Sequence, residues 1–466
     1  IIKEIMDSFR LFKEKLLSEN LSKSQEVMFT LFMALLCMSV YVSSDIYLPS
    51  LPQITKYFST HASYTQLTIT AYLLGLSITQ IPHGVFSDLY GRKTVLHFTL
   101  PLFLISTLGC ILSTHIFVLM FFRFLQAIAA SAAIVLGRTI VNEVFSAKKA
   151  QQAYTLLIPA ISCSPAIAPI LGGFLSAHFG WKSTFVFLLF FGLILTILVR
   201  TVLPETNRHI SQSKFSLRET ARSIKIMFKN LFFLKYMSLI FLGTTTWWVY
   251  LSGAPLMYHR LQLNEQEIGL MFLPAVLPYA LISLFSKKIL HYKDADTVIF
   301  YGVIGWLFSF LFLLLVTIFN LLNIYTVIIA VMGITGSNGF FIGMSFSNGI
   351  RLFPKFAGLT SGVLGTLQLF GGAMSSFIVA LFAEKFNLMI FSIQVIIYSI
   401  LTFIVYFSMY FVVPCFFPII LKANGSSLLG GTIAAIVASS VTIEIKYSAA
   451  SSLGVVPSRF VISASI

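Results

Sequence analysis

One carboxylate lies inside the first long apolar segment of the chain. Asp45 falls in the stretch Ser44–Pro52, which otherwise holds apolar and small polar residues. An ionised carboxylate is costly in hydrocarbon. Burial therefore favours its neutral form and lets it take up and release a proton. We interpret Asp45 as a candidate proton-coupling residue. The alternative is that the helix ends early, at Pro49 or Pro52, and leaves Asp45 at the outer interface.

Two cations lie in the fourth apolar segment. A buried guanidinium stays protonated, so Arg123 needs a carboxylate or carbonyl oxygens nearby, and its field would change when Asp45 gains or loses a proton. A structural arginine that binds carbonyls or extends to an interface is the alternative. Arg138 and Glu143 lie near the end of the same segment. We expect this pair to belong to a gate network, or else to form a surface ion pair.

The composition indicates which elements must position these charges. The 466 residues are 57% hydrophobic and only 10% charged, whereas soluble domains carry about 25% charged residues. Apolar runs of about 20 residues recur, which is the length of a spanning helix, while barrel strands would alternate polar and apolar residues. The sequence predicts an all-α polytopic membrane protein, with the lipid bilayer as its principal partner. The net charge of +15 does not indicate nucleic-acid binding, because the basic residues lie in loops between apolar runs.

Twelve apolar segments are separated by charged or Gly/Pro-containing breaks. They lie at 27–50, 64–86, 94–114, 116–143, 150–177 and 182–203, then at 231–256, 264–286, 297–319, 322–346, 356–383 and 387–413. This predicts two six-helix halves, 27–203 and 231–413, joined by an amphipathic cytoplasmic linker at 204–230. A cytoplasmic segment, 1–26, precedes them. Residues 414–466 are a tail of unknown role, either a membrane-surface segment, a mobile tail or an aberrant extension.

The distribution of Lys and Arg predicts the orientation. Every second loop is rich in basic residues, whereas the loops on the other side hold Lys56, Lys182, Arg260 and Lys385. Basic loops stay on the cytoplasmic side of a membrane. We therefore expect a multi-pass protein of the bacterial inner membrane with both termini in the cytoplasm.

A short charged turn follows the second apolar segment. It runs Gly84-Val-Phe-Ser-Asp88-Leu-Tyr-Gly91-Arg92-Lys93-Thr-Val-Leu96. The turn resembles the loop between helices 2 and 3 of major facilitator superfamily transporters, although Phe86 and Leu89 depart from the usual residues. The resemblance implies the major facilitator fold of twelve transmembrane helices. It also implies that Asp88, Arg92 and Lys93 of this turn latch the cytoplasmic side when the carrier faces out. A membrane-edge turn with an unrelated charge pair is the alternative.

Two further motifs resemble the same family. Leu119-x-x-x-Arg123-x-x-Gln126-Ala127 resembles its fourth-helix motif, with Ala127 where glycine is usual, and this implies a role for Arg123 in proton coupling. The fifth segment resembles the antiporter motif, which separates drug exporters from many sugar-uptake relatives. Its residues are Pro165, Pro169, Gly172 and Gly173, with Ala168 in place of the first glycine. A kinked, well-packed helix also explains the prolines and glycines.

Several stretches narrow the resemblance to one branch. Residues 45–52, Phe179-Gly180-Trp181, Leu203–Thr206 and Tyr250–Pro255 are similar to the bicyclomycin/chloramphenicol-resistance branch of drug:proton antiporters. The resemblance spans residues 27 to about 413 and is more specific in the first half than in the second.

Aromatic side chains inside the bundle are candidate substrate contacts. Their faces can stack on planar drugs or bind cations, although most aromatic residues at membrane depth face lipid or fill the core. The candidates for substrate binding are Tyr47, Tyr72, Gln126, Trp247, Trp248 and Tyr250.

Together these features predict a secondary transporter. We expect it to export lipophilic or cationic small molecules in exchange for protons by alternating access, as a monomer without metal or cofactor. A proton-coupled uptake carrier for a small metabolite is the alternative, and few ionisable groups in the second half argue against it. A membrane enzyme would need a catalytic cluster, whereas the eight histidines are dispersed. A decayed relative that no longer transports stays open as well.

Overall fold

The computed structural model describes residues 16, 21–207, 217–289, 294–354 and 357–423. Most of the predicted segment 1–26, part of the linker 204–230 and most of the tail 414–466 lie outside the described residues. The chain through Phe403 forms one compact unit, and a second unit begins at Ile404. The description below concerns the first unit, apart from the bounds of the last helix.

The described chain is built from helices. They are α1 Lys23–Asp45, α2 Leu51–Tyr57, α3 Ala62–Tyr90, α4 Arg92–Leu112, α5 Ile116–Val144, α6 Ala147–Phe179, α7 Lys182–Val202, α8 Leu217–Phe228, α9 Leu231–Arg260, α10 Glu265–Leu270, α11 Leu273–Ile289, α12 Ala295–Ile318, α13 Ile324–Arg351, α14 Ala357–Leu381 and α15 Leu388–Ala423. We call α1–α7 the first set and α9–α15 the second set. A helix occupies each of the twelve predicted segments.

Most of these helices match the requirements of a membrane span. Among the described residues, nine are long and apolar enough to cross a bilayer, and a tenth is added if α8 and α9, which meet at an angle of 89°, count as one span. The two others are α3 with 29 residues and α6 with 33, which are also long enough to cross a bilayer. The prediction of an all-α, multi-pass membrane protein is confirmed.

The first span is broken at Asp45. Helix α1 ends there, and the chain passes through a 3-10 turn at Leu48–Ser50 into α2. Pro49 and Pro52 each occupy the first turn of the element that follows the break, where a missing N–H is tolerated. The predicted end of this segment at residue 50 is wrong, because the prolines restart the helix and the span continues to Tyr57.

Two glycine turns define the ends of the bundle. Gly91 has φ 97° and alone joins α3 to α4, and Gly180 has φ 78° between α6 and α7. Positive φ is a conformation that glycine adopts without a steric penalty. We call these the Gly91 end and the Gly180 end.

The two sets pack along α3 and α14. Thr70 Oγ1 donates to Ser376 Oγ at 3.2 Å toward the Gly180 end. Toward the Gly91 end, Gly365 of α14 lies against the side chain of Gln80. At the start of the second set, Met227 of α8 is buried in an apolar cluster with Phe233 and Val363, which fixes α8 on α14.

Candidate functional site

Arg123 is fully buried inside the first set. Its Nη1 donates to Ser43 O at 3.0 Å and to Gln126 Oε1 at 2.7 Å. The guanidinium carbon lies 4.0 Å from the ring centroids of both Tyr47 and Tyr72. A desolvated cation over an aromatic face gains about 2 kcal/mol. Arg123 is therefore held by a carbonyl, an amide and two aromatic rings.

The residues around Arg123 are themselves tied to the backbone. Tyr72 OH donates to Val40 O at 2.9 Å, and Gln126 Nε2 donates to Thr107 Oγ1 at 2.7 Å. The structure thus places Tyr47, Tyr72 and Gln126 around Arg123 rather than on the wall of the central cavity described below. Their role in substrate contact stays a prediction, and their geometry favours positioning the arginine.

Asp45 lies at the break of the first span and is 1% exposed. Its Oδ1 accepts a hydrogen bond from Ser44 Oγ at 2.5 Å. Arg123 binds the carbonyl of Ser43, two residues before, but no ion pair joins the two side chains within the part of the chain that the structure describes. The early helix end of the alternative interpretation is observed, yet Asp45 is buried within the protein.

A cavity of about 140 Å³ lies between the two sets, and Asp45 forms part of its wall. Pro165 of the predicted antiporter motif also lines it from the first set, and the predicted Trp247 and Trp248 line it from the second. The sequence analysis missed six polar or aromatic residues of the lining: Tyr41, Thr244, Tyr279, Thr335, Asn338 and Gln368. Neutral residues of this kind inside apolar helices carry no sequence signal that separates them from packing residues.

Tyr250 is placed outside this cavity. Its hydroxyl donates to Met271 O at 2.7 Å and lies 2.9 Å from Tyr258 OH. The side chain is buried among aromatic rings that include Phe272 and Phe391. Tyr250 therefore ties α9 to the junction of α10 and α11, and its substrate role stays a prediction.

The charged turn at the Gly91 end forms a network. Arg92 Nη1 donates to Asp88 Oδ1 at 2.5 Å and to Ser87 Oγ at 2.7 Å. Its Nε and Nη2 both bind Glu143 Oε1, at 2.9 and 2.8 Å. Thr206 donates to the other oxygen of Glu143 at 2.5 Å. The structure brings Asp88, Arg92 and Glu143 together, as a gate network requires.

Arg138 lies apart from that network. It is exposed and lines a cavity of about 790 Å³ at the Gly91 end, which opens between α5 and α14. Asp88 and Arg92 also line this cavity. Within the described residues Glu143 pairs with Arg92 and not with Arg138. We call this space the vestibule.

The segment after α7 supplies a carboxylate, Glu205, that binds the start of α4 and that the sequence analysis did not identify. Glu205 accepts hydrogen bonds from the backbone N–H groups of Arg92, Lys93 and Asn207, at 2.8, 3.0 and 3.0 Å. The first N–H groups of a helix lack partners within it, and an acidic group there also complements the helix dipole. Glu205 thus caps α4 from a distant part of the sequence. The family resemblance of the segment Leu203–Thr206 does not reveal this role.

We expect the Glu205→Gln substitution to destabilise the Gly91 end by about 1–2 kcal/mol, the size of a lost helix cap. The apparent Tm of the purified protein should fall, because Gln has one acceptor oxygen in place of two. Glu384→Gln is the control, since Glu384 is 54% exposed in a pair with His61 and such pairs contribute little. Equal Tm values for both variants would contradict the capping role.

The Gly180 end is closed by contacts between the sets. Gln66 of α3 donates to the carbonyl of Ser252 in α9. His61 and Glu384 lie 3.6 Å apart across the same end. The two sets are therefore closed against each other at the Gly180 end and separated by the vestibule at the Gly91 end.

The glycines of the predicted antiporter motif lie at this closed end. Gly172 lies against the backbone of Ile46 at the break of the first span, and Gly173 lies against the backbone of Glu265 in α10. Pro169 is buried beside them and contacts Gly269 of α10 through its carbonyl. The motif therefore joins the first set to the second.

The family is established by comparison with known proteins. The family model described as Major Facilitator Superfamily matches residues 33–376, about three quarters of the chain. The chain belongs to the major facilitator superfamily, as the turn at Gly84–Leu96 predicts.

Curated relatives include an uncharacterized MFS-type transporter, YdgK, of Bacillus subtilis. It is 33% identical over 49% of this chain and 58% of its own length. The chain thus spans little more than half the length of that relative. A bicyclomycin resistance protein homolog of Haemophilus influenzae is 22% identical over 76% of this chain and 88% of its own length. This likeness supports the drug:proton antiporter branch that the sequence resembles.

A solved structure shows the same fold. The crystal structure of a D-xylose-proton symporter superposes with a TM-score of 0.63 at 15% identity, over 80% of this chain and 96% of that chain. At this identity the likeness concerns the fold alone. The predicted major facilitator fold is confirmed.

Proposed function

We propose that the chain is a proton-coupled exporter of lipophilic or cationic compounds in the bacterial inner membrane. The observation that carries the proposal is the buried carboxylate of Asp45 on the wall of a cavity that both helix sets form. A binding site between two sets that rock about it is the expected arrangement for alternating access. The name of the bicyclomycin-resistance relative supports drugs as the transported compounds.

The orientation of the proposal follows the charge distribution. The Gly91 end, with its basic residues, faces the cytoplasm, so the vestibule is the cytoplasmic entrance and the Gly180 end is the outer closure. In this state a lipophilic molecule reaches the cavity while Asp45 releases its proton to the cytoplasm. Domain boundaries at 203 and 231, a monomeric state and both termini in the cytoplasm belong to the same proposal.

Proton and drug compete through Asp45. Ionised Asp45 favours a cationic or polar compound in the cavity, since opposite charges attract strongly where the dielectric constant is low. A proton from the outside neutralises the carboxylate when the Gly180 end is open, and this weakens binding of the compound. Arg123 is held beside the same break by Ser43 O, so its fixed charge stays close to the place where Asp45 gains and loses its proton.

Everted membrane vesicles that contain the full chain test the proposal. With an acidic interior, chloramphenicol or tetraphenylphosphonium should accumulate inside, and a protonophore should abolish the accumulation. Vesicles that lack the protein are the control. A flux in which protons and a metabolite move together would favour the uptake carrier instead. The absence of any flux by inserted, folded protein would contradict both.

A further inference from the structure

Two oxygen atoms beside the cavity between the two sets, both from the second set, lack a hydrogen-bond partner. They are Thr244 Oγ1 and Asn338 Oδ1, and their residues are 4% and 2% exposed and line the cavity. Asn338 Nδ2 donates to Gly243 O at 3.4 Å, which fixes the amide and leaves its oxygen free within the described residues.

The neighbouring threonines of α9 show that this arrangement is local. Thr245 and Thr246 donate to the carbonyls of Phe241 and Leu242, at 2.7 and 3.0 Å. This bond to the preceding turn is the usual solution for a threonine inside a helix. Thr244 is the member of the run that lines the cavity, and its hydroxyl has no such bond.

The position of Asn338 depends on the absence of a side chain opposite. A Cβ at Gly243 would lie 3.2 Å from Asn338 Oδ1, closer than most such contacts. The glycine therefore lets α13 bring the amide close to α9, at the residue before Thr244. The carbonyl oxygen of Asn338 and the hydroxyl of Thr244, from two helices, thus line the same cavity, together with Trp247 and Trp248.

Buried polar atoms without partners are rare, and each lowers stability unless something satisfies it. A carbonyl oxygen can only accept, so its partner must be an N–H or O–H donor. We propose that Thr244 and Asn338 form an acceptor site for a donor group of the transported molecule, so that lipophilic compounds with a hydroxyl, amide or amine donor are preferred over those without one. This inference rests on the proposed function.

The two walls then have different tasks. Asp45 on the first set responds to protons and charge, while the neutral wall of the second set recognises a donor. Removal of the acceptors should therefore change selectivity among compounds and leave the coupling to protons intact.

Direct binding to the purified full chain in nanodiscs tests the inference. Chloramphenicol carries two hydroxyls and an amide N–H, whereas tetraphenylphosphonium has no donor. We expect Thr244→Val and Asn338→Leu each to weaken chloramphenicol binding by about threefold to tenfold, the effect of one lost hydrogen bond. Tetraphenylphosphonium binding should not change. Thr245→Val is the matched control and should alter neither.

Thermal stability separates recognition from structure. Because Thr244 Oγ1 has no partner to lose, Thr244→Val should leave the apparent Tm equal or higher, while Thr245→Val removes a formed bond. The acceptor site would be refuted if Thr244→Val and Asn338→Leu weakened the binding of chloramphenicol and of tetraphenylphosphonium equally. It would also be refuted if both variants left chloramphenicol binding unchanged. Drug binding by the wild type would stand in either case. If the wild type bound and transported neither probe, the proposed function itself would fail, and this inference with it.

Discussion

Asp45→Asn is expected to abolish accumulation of drug driven by a proton gradient. Asparagine has nearly the same shape, and its Oδ1 can still accept the hydrogen bond that Ser44 Oγ gives to Asp45. The asparagine amide cannot bind or release a proton at physiological pH. The cavity should therefore persist, with its aromatic wall of Trp247 and Trp248, but the exchange of compound for proton should stop.

The loss should be specific to coupling. In proteoliposomes, gradient-driven accumulation should fall to the level of empty liposomes, while exchange of labelled for unlabelled compound without a gradient continues. Binding of an uncharged compound should lose its dependence on pH. These measurements distinguish a missing proton site from a missing fold.

A carboxylate at the surface provides the control. Asp294 is exposed and caps α12 through a bond to the N–H of Thr297 at 3.0 Å. Asparagine is an equally good cap, so Asp294→Asn should transport as the wild type does. If Asp45→Asn retained gradient-driven accumulation, Asp45 would not be the coupling group.

The sequence predicts the elements better than their breaks. Apolar runs of bilayer length identify each span, because the length is imposed by the membrane itself. The apolar run predicts that the first segment ends at residue 50, whereas helix α1 ends at Asp45 and the span continues in α2. Pro49 and Pro52, which suggest a helix end, each begin a new turn. Proline ends one helix or begins the next with the same local pattern, so only the packing of the following residues decides.

The charged site residues were easier to find than the neutral ones. Asp45 and Arg123 stand out because a charge in an apolar segment is costly. Thr244 and Asn338 have no such signal, since most hydroxyl and amide groups in membrane helices bond to their own backbone or to a neighbouring helix. Which of them line a cavity depends on helix rotation, which the apolar pattern does not fix.

The aromatic candidates show the same limit. Trp247 and Trp248 line the cavity, but the rings of Tyr47 and Tyr72 lie on the guanidinium of Arg123. Both environments suit an aromatic ring equally well. The sequence places these tyrosines at the correct depth, and only tertiary packing separates a ring that faces a ligand from one that covers a cation.

The closed Gly180 end depends on two glycines, Gly173 and Gly269, each of which lies against the backbone of the opposite helix. Helices α6 and α10 meet there, and neither glycine has a side chain to hold them apart. A Cβ at Gly269 would overlap the carbonyl oxygen of Pro169 and lie 3.3 Å from Ile170 Cα. A Cβ at Gly173 would overlap the carbonyl oxygen of Glu265. Because the opposing atoms are backbone, neither clash is relieved by rotation of a side chain.

Gly269→Ala is therefore expected to favour the state in which the Gly180 end is open. Overpacking of a tight contact costs about 1–3 kcal/mol, and the cost applies only when this end closes. The equilibrium should shift toward the open state by about fivefold to 150-fold. Transport should fall steeply, since alternating access needs both states.

Accessibility of a single cysteine at the closed end measures this shift. Ser376 is fully buried and receives a hydrogen bond from Thr70 across the sets, so Ser376→Cys in a background without the native cysteines reports opening. A membrane-impermeant maleimide should label it faster in Gly269→Ala than in the parent. Gly343→Ala is the control, because a Cβ there meets nothing within 4 Å. Equal labelling in all three proteins would show that the α6–α10 contact does not set the closure.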